Sequence, residues 1–83
     1  MTPNEARTVI MSDAPIAAKR RDAIGKAARA DMREACLTLA RFDVMSARLA
    51  GRGRLAHKRR ARWLNCAAAW RRLAVKHSNS FYL

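Results

Sequence analysis

Two long stretches of helical periodicity are separated by Gly51-Arg52-Gly53, and this interruption constrains the fold more than any other feature of the chain. Glycine just past a helix C-terminus tolerates the left-handed backbone that closes the helix. A connection this short leaves its two helices antiparallel neighbours. The flanking patterns run from Met32 to Ala50 and from Arg54 to His77, so an antiparallel helical hairpin is the expected framework. Eighteen alanines and fourteen arginines against three glycines and two prolines agree with it, and β-structure has little support.

In such a hairpin, residues equally far from the turn lie at equal height, since each adds about 1.5 Å of rise. Met32 should then face Trp70, Cys36 Cys66, Leu39 Trp63, Asp43 Arg59 and Leu49 Leu55. At 100° per residue, Met32, Ala35, Cys36, Leu39, Phe42, Ser46 and Leu49 share one arc, while Leu55, Trp63, Cys66, Ala67, Trp70, Leu73 and Ala74 share another. These residues are the expected core, with Cys36 and Cys66 as a pair of buried thiols. Asp43 and Arg59 are the charged members of the two stripes, so a cross-hairpin ion pair is expected, fixing register more than adding stability.

Two helices alone cannot cover both tryptophans together with Leu37 and Val44. A further helix, capped by Ser12 or Asp13 with Pro15 in its first turn and running to Gly25 or Arg29, offers Ile16, Ala23, Ile24 and Ala27 as cover. The expected fold is therefore all-α: a small helical bundle of three helices built on the hairpin, with a homodimer as the other way to cover the same surface. Residues 1–12 read as a flexible tail with Val9, Ile10 and Met11 as its apolar spot, 13–77 as a single helical domain, and 78–83 as a short C-terminal tail carrying Phe81 and Tyr82. Asp31-Met32-Arg33-Glu34 has the spacing of a capping box, which favours a break there over one helix through residues 13–50.

Charge is the most informative functional feature. The chain carries a net +12, and residues 1–51 hold nine basic and six acidic side chains, a net of +3. Residues 52–83 hold nine basic side chains and no acidic one, a net of +9. On the last helix Arg54, Lys58, Arg62, Arg72 and Lys76 fall opposite the tryptophans, with Arg60 and Arg71 on a flank and Arg52 in the turn. Like charges four residues apart destabilise a helix unless a partner neutralises them. A nucleic-acid backbone, DNA or RNA, is such a partner, because each neutralised phosphate releases counterions and guanidinium groups bind phosphate oxygens in a bidentate fork. The alternative is a regulator or inhibitor of the compact phage or plasmid type that docks the same helix on an acidic protein surface.

Other classes find little footing. A helix-turn-helix alignment on Gly51 puts His57 and Arg60 where apolar residues belong, which speaks against major-groove reading by that motif. Cys36, Cys66, His57 and His77 lack metal-ligand spacing, and no catalytic triad, carboxylate pair or phosphate loop is present, so no metal, cofactor or enzymatic activity is expected. Without a membrane span, signal peptide or disulfide framework, the expected location is the cytoplasm.

Overall fold

Asp22 and Gly25 set the start of the longest helix. The Asp22 side chain accepts the Gly25 N–H at 3.1 Å, satisfying one of the amides that an opening turn leaves without a partner. The structure, a computed structural model, describes residues 1–78. They form four α-helices: α1 (Pro3–Met11), α2 (Ala14–Ala17), α3 (Ala23–Arg48) and α4 (Arg54–Ser78). Phe81 and Tyr82, with most of the expected C-terminal tail, lie outside the described residues.

The hairpin forms as expected. α3 ends at Arg48, Gly51 and Gly53 take positive φ angles of 86° and 108°, and α4 begins at Arg54. Arg60 reaches back to donate to the Gly51 carbonyl at 2.6 Å, tying the turn to the first coils of α4. α3 runs unbroken through Asp31, so the expected break is not there. It lies upstream at residues 18–22, where Arg29 donates to the carbonyls of Ala18 and Arg20 at 3.1 and 2.9 Å. Gly25 is not the end of an earlier helix. It sits in the first turn of α3 because a Cβ there would collide with the Arg20 carbonyl and lie 3.1 Å from that of Ala17.

The largest departure from expectation is at the N-terminus. Residues 3–11 are a helix and not a tail: Thr2 caps it by accepting the Glu5 N–H at 3.2 Å, Pro3 stands in the first turn, and the Thr2 hydroxyl donates to the Glu5 carboxylate. This helix supplies the cover expected of Ile16, Ala23, Ile24 and Ala27, all four of which are exposed. Ala6 of α1 forms a buried cluster with Ala35 and Leu39 of α3, and Val9, Ile10 and Trp70 pack against it. α3 is thus the central helix, packed on α1, α2 and α4, whereas among the described residues the backbone of α4 meets that of α3 alone.

Small residues line the seam between the two long helices. Ala28, Cys36 and Ala47 of α3 are buried, as are Ala56, Ala67 and Ala74 of α4, with Gly25 and His77 buried at the end away from the turn. The face differs from expectation. The inward stripe of α4 runs Ala56, Arg60, Trp63, Ala67, Trp70, Ala74, His77, about 40° around the helix from the stripe expected at 100° per residue. Alanine lets helix axes approach closely, and Leu55 and Cys66 fall outside the stripe, exposed.

Burial of the expected core follows from this. Met32 and Leu39 are buried, and Phe42, Trp70 and Leu73 are half-buried. Leu49 is 79% exposed and Trp63 36%, with Leu55 beside them at 67%. α1 is nine residues long and docks near Ala35 and Leu39, so no third element among the described residues covers the hairpin near its turn. The body measures 50 × 22 × 14 Å, and its thinnest dimension leaves room for little more than one layer of helices.

Candidate nucleic-acid interface

α4 turns its alanine stripe to α3 and its basic ridge to solvent. Arg54, Lys58, Arg62, Arg72 and Lys76 are all exposed and stand on the side opposite Ala67 and Ala74. Arg52 in the turn and Arg71 on the flank are exposed as well. Arg60 is half-buried, and its guanidinium is engaged by the Gly51 carbonyl, so it belongs to the turn more than to the ridge. None of Arg54, Lys58, Arg62, Arg72 and Lys76 enters an ion pair among the described residues. The pairs that do form, the Met1 amino group with Glu34 at 3.9 Å and Arg20 with Asp22 at 2.6 Å, lie elsewhere.

The expected Asp43–Arg59 ion pair is absent among the described residues. Arg59 is exposed, whereas Asp43 is buried with its Oδ2 lacking a hydrogen-bond partner. The reason lies in side-chain direction. Cα–Cβ bonds lean toward the N-terminus of their own helix, so in an antiparallel pair Asp43 leans away from the turn and Arg59 toward it. Arg59 also stands outside the buried stripe of α4, and Asp43 meets a large side chain farther along that helix. That residue is Trp70, whose indole N–H donates toward the carboxylate, while Arg7 of α1 adds a favourable charge. Arg7 also lies over the Phe42 ring, 5.6 Å from its centroid, which ties α1 to this point of α3.

Burial nevertheless pushes the Asp43 carboxyl above its ordinary value, outweighing Arg7 and Trp70. A raised folded-state value means that stability falls as pH climbs through 3.8, where the unfolded chain ionises, up to the folded-state value. Asp43→Asn keeps an acceptor for Trp70 and removes the buried charge. It is expected to stabilise the protein by about 1 kcal/mol at pH 7, a gain that vanishes below about pH 3. Thermal melts of both proteins across that range check it.

The two cysteines part company. Cys36 is buried, and its thiol is pushed up by desolvation, while Cys66 is exposed beside Lys58, Arg62, Asn65 and Ala69; both are free. Their heights match, but of the two expected stripe members Cys66 and Ala67 the rotation of α4 keeps only Ala67 on the seam, so the expected pair of buried thiols does not form. His77 is buried, and desolvation with the neighbouring Lys76 lowers its pKa. No group of three or more His, Cys, Asp or Glu is placed to hold a metal ion among the described residues. No helix there is long and apolar enough to cross a membrane.

Sequence reasoning misses Arg7 and the whole of α1. Its signal is present in Thr2-Pro3-Asn4-Glu5, which has the cap, the first-turn proline and the acidic residue three places on. Comparison with family descriptions, with curated proteins and with solved structures gives no match to this chain.

Proposed function

We propose that this chain is a small, non-catalytic, cytoplasmic accessory protein that binds the phosphate backbone of nucleic acid through the outward face of α4. The observation carrying this reading is the exposed ridge of Arg54, Lys58, Arg62, Arg72 and Lys76, with no acidic residue on the helix and no ion pair to these side chains among the described residues. Lys58 follows Arg54 by one turn, Arg62 follows Lys58, and Lys76 follows Arg72, so repulsion at this spacing works against the free helix and is relieved when phosphates bind. Arg52 and Arg71 extend the ridge at its edges.

A second reading is favoured by a separate observation. Met45, Leu49, Leu55 and Trp63 leave apolar surface exposed toward the turn, at 59, 79, 67 and 36%. An acidic protein partner could engage that surface together with Arg59 and Arg62, making the chain a modulator of another protein, and a second copy of the chain could cover it instead.

Salt dependence separates the two readings. Labelled nucleic acid titrated by fluorescence anisotropy is expected to bind with a log K against log[salt] slope of about −4.5 to −6.3, for roughly five to seven phosphate contacts at about 0.9 per contact. A saturating 1:1 complex with an acidic protein, and no binding to nucleic acid near roughly 50 mM salt, would instead establish the second reading.

A further inference from the structure

We infer that the ligand of this face is duplex DNA, with α4 laid across the major groove from one phosphate rail to the other. The inference rests on the backbone-binding reading above and names its substrate class.

Charge on the outward face is gathered toward two ends. Arg54, Lys58 and Arg62 stand nearer the turn, and Arg72 and Lys76 nearer the C-terminus of α4, all exposed. Between them the same face carries Asn65 and Ala69, with Ala61 beside them, and shallow depressions run from Lys58 and Arg62 past these residues to Arg72 and Lys76. At about 1.5 Å per residue, Arg62 and Arg72 are about 15 Å apart along the axis and Lys58 and Lys76 about 27 Å. The major groove of B-form DNA is roughly 12 Å wide, so with a phosphate on each rim its rails stand roughly 18 Å apart. That span falls between the inner and outer spacings. The small neutral centre lets the helix come down over the groove while both ends reach phosphates.

The same face suits a single strand poorly. Single-strand binding combines a continuous basic track with aromatic rings on which bases stack. Here the track is interrupted between Arg62 and Arg72, and Trp70, which borders the depression beside Arg72 and Lys76, is half-buried and packed on the Ala6, Ala35 and Leu39 cluster, while Trp63 stands opposite the basic ridge. An A-form RNA duplex presents a deep, narrow major groove that offers no such opening. Because the backbone of α4 meets only α3 among the described residues, the outward face is unobstructed along its described length.

The test is an anisotropy titration of the full chain with a DNA duplex of about two helical turns, one of its strands, and the RNA duplex of the same sequence, at one salt concentration. The duplex DNA is expected to bind at least about tenfold more tightly than either other ligand. Ala69→Leu, a substitution at an exposed helical position, should weaken duplex DNA about tenfold and leave the single strand unchanged. Equal affinity for single strand or RNA duplex, or equal weakening on all ligands with Ala69→Leu, would overturn the groove-bridging inference and leave backbone binding standing. Binding to none of the three would remove both.

Discussion

Leu39→Ala is expected to lower the stability of the protein by about 3 kcal/mol, within the roughly 2–5 kcal/mol range for emptying a packed leucine site. Leu39 is 4% exposed and sits where α1 and α3 meet, in the cluster with Ala6 and Ala35 that Val9, Ile10 and Trp70 close. Its truncation opens a cavity that alanines on either side cannot fill. For a chain of roughly 60–100 residues, each kcal/mol moves the melting temperature by about 4–8 °C, so the shift should exceed about 10 °C. Trp63→Ala is expected to cost less than half as much, despite removing a larger side chain, because Trp63 is 36% exposed and has no third helix above it among the described residues. The sequence alone ranks the two residues as equal members of the core. Denaturant unfolding of both variants decides between the rankings: a Trp63→Ala penalty as large as that of Leu39→Ala would mean that the hairpin is covered near its turn.

The second large effect is on binding. Replacing Lys58, Arg62, Arg72 and Lys76 together by alanine is expected to flatten the salt slope by about 4, close to one for each phosphate left without its cation, and to weaken duplex binding at least about a hundredfold. The fold should survive. All four side chains are exposed, alanine is the strongest helix former, and the changes relieve the one-turn repulsions. Thermal stability is therefore expected to hold or rise while affinity collapses. If the four residues form only a solvated surface, the same variant leaves binding to nucleic acid as it was.

Much of this architecture is legible in the chain itself. Gly51 and Gly53 adopt the positive φ angles that their position at the turn implies, and α4 begins at Arg54 as its periodicity predicts. The basic ridge is legible for the same reason, since the positions opposite a buried stripe change little when that stripe rotates by about 40°. That rotation defeats finer readings. By periodicity Leu49 belongs to the inward stripe of α3, and Leu55 and Cys66 to that of α4 with Ala67 and Ala74, but the helices approach along Ala47, Ala56, Ala67 and Ala74, which leaves Leu49, Leu55 and Cys66 exposed. Periodicity finds an arc wide enough to hold both the alanines and the larger residues, and close approach selects the alanines.

α1 is hidden for a different reason. A nine-residue helix is marginal alone, because its costly nucleation is spread over few hydrogen bonds. It is held by docking Ala6, Val9 and Ile10 on α3, a contact that local periodicity does not display. The Asp43–Arg59 pairing fails because Arg59 stands outside the buried stripe of α4 while Asp43 is buried. Equal height along two antiparallel axes does not bring side-chain tips together when each leans toward its own N-terminus, and the true neighbours of Asp43 are Arg7, far away in sequence, and Trp70.

Whether the outward face of α4 meets phosphate is decided by following backbone amide resonances while duplex DNA is added. The largest shifts are expected on α4 around Lys58, Arg62, Asn65, Ala69, Arg72 and Lys76, with α1 and α2 nearly unchanged. Shifts centred instead on Met45, Leu49 and Leu55, or spread evenly over the basic residues of all four helices, would contradict it.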